Sequence, residues 1–449
     1  GLLGFFSTGD SVCPGNLGLW DQTAALRWVK ENISAFGGDA SRITVFGQSA
    51  GGASVDLLAI SPHSRDLFQQ VIPMAGCSEC EWATARNEEV AKECAEFAQR
   101  KGFTSRDPGQ EQSREMIEFL RTKKAKEFER SLLGRTGVDV SKVSLELAPV
   151  LDGDFLPRSI DELRRETPKR RVMIGTCEAE GLLFALLAPN TFDERGINHI
   201  LSVVITEERF PEDFAELRER ARQLYLAGGD PTDRDHVARA YIKLYSDNFV
   251  GNGTSWYAEK MRACGNEVFL YSFDYCNPKS FGILALRAPF KAATHCTELA
   301  YLFGLSIVFD FKFSDADRRV AERLCRMWTN FAKYGNPNGP EKCYSDKSST
   351  ISVEGDVGWQ PTTEEAPLQY LSIGEESCEM RPVYEERRAD FWAELRRKGA
   401  EPRTKEAVLA TKGAVSVEKN FKSEEPKLTS CGAALNEAAT NHNNNILAK

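Results

Sequence analysis

Residues 44–52 read Thr-Val-Phe-Gly47-Gln48-Ser49-Ala50-Gly51-Gly52, a Gly-x-Ser-x-Gly pattern. A β-branched run over residues 42–46 precedes it, and a helix-compatible stretch over residues 53–60 follows. A chain that passes from strand to helix in so few residues crowds its own backbone. Gly47 and Gly51 are therefore expected to relieve that crowding. The turn lifts Ser49 to the carboxyl end of a sheet, where the free N–H groups opening the next helix face any developing negative charge. The bland alternative is a Gly/Ser-rich turn without chemistry. A strand before the pattern and a helix after it favour a nucleophile elbow.

A serine hydroxyl needs a base within hydrogen-bond reach and an acid to orient that base. The chain has five histidines. His442 lies in a polar tail, His199 and His236 fall in helix-like stretches (residues 196–203 and 234–245), and His63 sits in a loop after the elbow helix. His295 follows an apolar strand over residues 267–275 and directly precedes an amphipathic run over residues 297–303. It alone satisfies the chain order serine, acid, histidine, with the histidine on a loop beyond a late strand. The acid belongs between Ser49 and His295, on a loop leaving a strand. Residues 172–175 read as a buried strand and residues 176–181 as its exit loop. Spacing does not separate Glu178 from Glu180. Asp152 and Asp154 are weaker rivals, because Asp-Gly flanked by apolar residues is first of all a turn.

Further segments extend the pattern: Gly15-Asn-Leu-Gly-Leu-Trp-Asp-Gln22, Phe36-Gly-Gly-Asp39, Pro149 through Phe155, Glu180-Gly181, His295-Cys-Thr-Glu298, Trp328-Thr-Asn-Phe-Ala332 and Gly335-Asn-Pro-Asn338. In this order, from Gly4-Phe5 to about Trp392, the chain resembles the type-B carboxylesterases, to which cholinesterases also belong. The resemblance implies an α/β-hydrolase fold with a mainly parallel sheet, helices on both faces and helical cap insertions. In that family the triad glutamate precedes a glycine, with an aromatic residue a little further on. Glu180, followed by Gly181 and Phe184, matches. The implied triad is Ser49, Glu180 and His295, with the Ala50 N–H as an oxyanion donor, a small-molecule ester as substrate, and no metal or organic cofactor.

Two departures narrow the branch. Gln48 stands where cholinesterases carry a glutamate, which disfavours a cationic choline-type substrate. Gly102-Phe103 and Phe119-Leu-Arg121 stand where many relatives pair two cysteines. The general look is closer to invertebrate gut-type carboxylesterases. No His-Gly-Gly run occurs, and Leu2 to Phe6 resembles the family segment that follows the Gly-rich oxyanion loop. The expectation is that the first strands, that loop and any signal peptide lie upstream of Gly1.

The βαβ rhythm over residues 19–74 fits a parallel sheet, with Leu19, Leu26, Val29 and Ile33 as the apolar stripe of a helix. The charged helical regions 81–146 and 193–245 are candidate caps over the carboxyl edge of the sheet. The basic stretch 164–171 reads as a solvated face. A net charge of −9 disfavours nucleic acid as a partner. No segment is long and apolar enough to cross a bilayer. Cys77-Ser-Glu-Cys80 is a lone C-x-x-C, read as a local disulfide or two free thiols rather than a metal site. Asn32-Ile-Ser34 and Asn252-Gly-Thr254 are glycosylation sequons, relevant on the secretory route that the resemblance implies. The domain is placed at residues 1–395. Residues 396–449 are rich in Lys, Glu, Ala, Thr and Asn, and are expected to be a disordered tail. Two rival readings are a non-catalytic adhesion or binding relative that kept the fold, and an inactive truncated product of an esterase gene. Oligomeric state is not indicated.

Overall fold

A computed structural model of the chain describes residues 1–105, 109–128, 145–187, 192–304, 311–340 and 358–400. Helices α1 (Leu2–Phe5) and α2 (Leu17–Asn32) lead into β1 (Thr44–Gln48), which turns at Ser49 into α3 (Ala50–Ile60) and is followed by β2 (Gln70–Met74). Helices α4 (Asn87–Arg100), α5 (Gln110–Arg121) and α6 (Ile160–Arg165) precede β3 (Arg171–Cys177). Next come α7 (Gly181–Leu187), α8 (Glu194–Val204), α9 (Phe214–Leu226), α10 (Arg234–Ser246) and α11 (Asn252–Ala263), then β4 (Glu267–Phe273). The last elements are α12 (Thr297–Phe303), α13 (Asp315–Tyr334), β5 (Tyr370–Ile373), β6 (Cys378–Arg381) and α14 (Arg388–Ala400).

The six strands lie side by side in chain order. β1 to β5 are parallel, and β6 runs antiparallel to β5. Val71, Val172 and Val268 are aligned across β2, β3 and β4 and pack with α3, α6 and α11 on one face. One residue further along, Ile72, Met173 and Phe269 turn to the other face, against α12 and α13. This two-residue alternation gives each strand two apolar faces and makes helices necessary on both. A third apolar cluster joins α7, α8, α9, α10 and α14 above the carboxyl end of β3.

Several expectations are corrected. The elbow helix begins at Ala50, three residues earlier than residue 53, because the chain enters helical geometry directly after Ser49. Of the α2 stripe only Leu19 is buried, while Trp28 on the same helix is 54% exposed and packs on exposed Phe36. The cause is position: α2 lies near the edge strand β1 among the described residues, and beyond Leu19 only Trp20 and Leu26 pack, partly buried, against the core of α3. Helices α8 to α10 form a cap, but α4 and α5 build a separate cluster with Leu2, Phe6 and Cys13. The stretch 164–171 is not a uniformly solvated face. Arg164 is 2% exposed and forks onto Asp56 at 2.9 and 3.0 Å, with Ser78 Oγ at 2.7 Å. Arg170 is buried over Phe68 and donates to the Arg65 carbonyl at 3.0 Å. A guanidinium with several donors can be sunk in this way where carboxylates and carbonyls surround it. At the other end, α14 carries the fold five residues past 395, and Arg396 reaches Glu79 at 3.1 Å while stacking on Trp256. The rest of the expected tail, 401–449, lies outside the described residues.

Candidate active site

The turn at Ser49 is as tight as its neighbours require. Ser49 adopts φ 59° and ψ −122°, a conformation that costs a non-glycine residue roughly 1–3 kcal/mol. Its N–H donates to the Met74 carbonyl at 2.8 Å, which holds the residue at the top of the sheet. A Cβ on Gly47 would sit 2.6 Å from the Gly51 backbone, so Gly47 is required. Gly51 is not: a Cβ there would meet nothing within 4 Å. The close approaches fall instead on Gly52, whose Cβ would lie 2.4 Å from the Gly76 carbonyl, and on Gly76, whose Cβ would lie 2.2 Å from the Ser49 carbonyl. Gly76 was missed because its partner is 27 positions away in the chain. Ala50 opens α3, and its N–H has no acceptor among the described residues.

The exit loop of β3 is where spacing left two carboxylates open. Glu178 is exposed, and its N–H continues the sheet pairing by donating to the Phe273 carbonyl at 3.0 Å. Glu180 is 1% exposed and places Oε2 at 2.5 Å from Nδ1 of His295, while Oε1 accepts the Cys177 N–H at 2.6 Å. With Nδ1–H given to the carboxylate, the lone pair of His295 sits on Nε2. Burial by itself would depress the imidazole's basicity. The Glu180 charge outweighs it, together with the nearby Cys296 sulfur and the hydrogen bond that Glu180 accepts, and holds His295 well above the ordinary histidine range.

Phe184 and Phe249 flank the His295 ring with centroids at 5.0 and 5.2 Å, and they pack edge to face on each other at 4.7 Å. Phe249 belongs to a single π-helical turn, Asp247–Gly251, whose extra residue re-aims the side chains between α10 and α11. The Gln48 amide nitrogen lies 3.4 and 3.3 Å from the two ring nitrogens. Near-equal reach to both puts it over the ring rather than in line with either. Its Oε1 accepts the Cys296 thiol at 3.0 Å. The Ser49 hydroxyl makes no hydrogen bond among the described residues. Below the pair, Glu298 is fully buried, takes the Cys177 thiol at 2.8 Å, and is pushed up to about 7 by burial and then by the Glu180 charge. Its segment stood out in the sequence, but nothing local told that its carboxyl is buried within reach of the Glu180 charge.

The other candidates lie elsewhere. Asp152 accepts from the N–H groups of Asp154 and Leu156, which is the turn role. Asp154 pairs with His63 at 3.0 Å. His199 is exposed on α8, and His236 Nε2 meets the Leu226 carbonyl at 3.1 Å. Asn252 is 5% exposed at the start of α11, so the fold leaves no room there for a glycan, and this expectation is withdrawn. Asn32 lies at the end of α2, its Nδ2 donating to the Trp28 carbonyl at 2.8 Å. Cys77 and Cys80 are free, with sulfurs 4.0 Å apart. Among the described residues no group of three or more His, Cys, Asp or Glu is placed to hold a metal ion, and no helix is long and apolar enough to cross a membrane.

Comparison with known proteins places the sequence in a family. The sequence model of the carboxylesterase family matches residues 1–392. The chain is 40% identical over 401 residues to esterase cest-33 of Caenorhabditis elegans, covering 87% of this chain and 67% of that protein. It is 30% identical over 414 residues to neuroligin-3 of Homo sapiens and over 419 residues to neuroligin-2 of Rattus norvegicus. The chain spans about half the length of those neuroligins, 46% in each case.

Proposed function

The chain belongs to the carboxylesterase family, with an α/β-hydrolase fold, and from that premise we propose that it is a carboxylic ester hydrolase working through Ser49, His295 and Glu180. The reading is carried by one observation: the buried Glu180–His295 bond at the carboxyl ends of the strands, on the same side as the strained Ser49 turn. His295 Nε2 takes the proton of the Ser49 hydroxyl as its oxygen attacks the ester carbonyl. Glu180 keeps the proton on Nδ1 and stabilises the imidazolium as it forms. The Ala50 N–H donates to the tetrahedral oxyanion. Collapse expels the alcohol, which receives its proton from His295, and leaves an acyl-serine. Water then repeats the sequence, its proton passing to His295, and releases the acid. No metal or organic cofactor enters these steps. The substrate is a small-molecule ester, the protein follows the secretory route, and any glycan on the folded domain is carried by Asn32.

The second reading is a non-catalytic binding relative. It is supported by the 30% identity to neuroligins. The serine, base and acid all being present supports the first, because a binding surface needs none of them. Turnover of a short-chain aryl ester by the intact protein, with labelling by an organophosphonate at Ser49, is the expected outcome. Ser49→Ala should abolish both. Labelling of the variant at another residue, or an intact folded protein that neither labels nor turns over, would sink the proposal.

A further inference from the structure

The amino ends of β1, β2, β3 and β4 surround a pocket of about 440 Å³. Five basic residues border it: Arg42 just before β1, Lys169, Arg170 and Arg171 where β3 begins, and Lys333 in the last turn of α13. Among the described residues one carboxylate borders it, that of Glu267 at the start of β4. We propose that this pocket binds a small anion carrying two or more phosphate or sulfate groups. Its volume falls within the range of small-molecule sites, about 300–1,000 Å³. Such a site is separate from the ester chemistry. Ser49 lies at the other end of β1, roughly 17 Å along the five-residue strand.

The partners of these cations decide the charge of the ligand. Arg42 pairs with Asp39 at 2.7 Å and donates to the Lys333 carbonyl at 3.0 Å. Arg171 pairs with Glu267 at 3.1 Å and donates to the Tyr334 carbonyl at 2.8 Å. The two guanidinium groups thereby cap the carbonyl end of α13, whose partial negative charge would otherwise repel an anion. The other three cations have no carboxylate partner among the described residues. Arg170 is 7% exposed and donates to the carbonyls of Arg65 and Phe68 at 3.0 and 3.4 Å, so no ion pair offsets its charge. The Lys169 ammonium crosses Gly265, another wall residue, where a Cβ would lie 3.0 Å from Nζ. Lys333 is exposed at the end of α13. Three cations without ion pairs around one concavity focus a positive field, in a chain whose net charge is −9. A monovalent anion would leave most of that field unmet. Phosphate or sulfate groups present several charged acceptor oxygens, which suit ammonium and guanidinium donors.

The test is isothermal calorimetry of the intact protein at low salt, with pyrophosphate and with a disulfated disaccharide as probes. At least one should bind, and the tighter of the two identifies phosphate or sulfate as the preferred group. Lys169→Gln and Lys333→Gln should each weaken that binding roughly 10- to 100-fold, the worth of one hydrogen bond to a charged group, with the fold retained by circular dichroism. Lys92→Gln removes the same charge from the exposed side of α4 and should leave the affinity unchanged, as should Ser49→Ala. Raising the salt from about 0.05 to about 0.5 M should weaken binding, because charges open to solvent are screened. Failure of both probes to bind at millimolar concentration, acetate binding as tightly as either, equal losses in Lys92→Gln, or binding confined to long polyphosphate chains would overturn the proposal.

Discussion

Replacing Glu180 with glutamine changes one atom at the centre of the site and tests its chemistry directly. In the parent, one carboxylate oxygen accepts the Cys177 N–H at 2.6 Å and the other meets His295 Nδ1 at 2.5 Å. An amide of the same shape has one acceptor and one donor for these two places. Keeping its oxygen on Cys177 forces its NH₂ onto Nδ1, which drives the imidazole proton to Nε2, the atom that must receive the Ser49 proton. The lost charge adds to this. A unit pair about 4 Å apart at an effective dielectric of 20 is worth about 4 kcal/mol, or roughly a thousandfold in imidazolium stability. The wrong tautomer adds to the loss, and the analogous change in a serine protease costs about 10⁴ in kcat. Turnover of an aryl ester should therefore fall by about 10³–10⁴ with the fold retained by circular dichroism. The pH profile carries the sign. His295 is held above the ordinary range in the parent, so its base form is lost as pH falls through that raised value. Without the carboxylate, the acid limb of kcat/KM moves to lower pH. Glu178→Gln should leave both readouts where they were. A variant at position 180 that keeps a tenth of the parent rate with an unmoved limb, or a large loss at position 178, would refute the reasoning.

The remaining predictions concern the frame around the site. Gly76→Ala puts a Cβ 2.2 Å from the Ser49 carbonyl and should cost about 1–3 kcal/mol or more in urea unfolding. Gly51→Ala meets nothing within 4 Å and should be neutral or stabilise by about 0.5–1 kcal/mol. Equal effects at the two positions would contradict the elbow geometry. Arg164→Met removes the guanidinium shared by Asp56 and Glu79, both buried, and should destabilise by about 3–5 kcal/mol in the same assay. In a secreting host, Asn32→Gln should abolish the mass shift produced by glycosidase treatment, and Asn252→Gln should leave it unchanged.

Local chemistry determined a definite part of this protein. The elbow was legible because strand, Gly-x-Ser-x-Gly and helix follow one another within a few residues, and that covalent neighbourhood dictates the turn. The βαβ rhythm was legible because burial on both faces of β2, β3 and β4 demands continuous apolar runs. His295 emerged because histidine is scarce and the chain order is restrictive. Only tertiary structure shows which of Glu178 and Glu180 meets His295: two residues apart on one loop, the first continues the pairing of β3 with β4 and keeps its side chain in solvent, while the second turns inward beneath His295. It also decided that Phe249 flanks the histidine, through a π-turn that no periodicity announces. The burial of Arg164 depends on Asp56 and Glu79, which are 108 and 85 positions away along the chain. Residue type and spacing record what a segment does with its immediate neighbours. Which distant groups share its desolvated surroundings, and so which charges and close contacts it can bear, is settled only when the strands and helices pack.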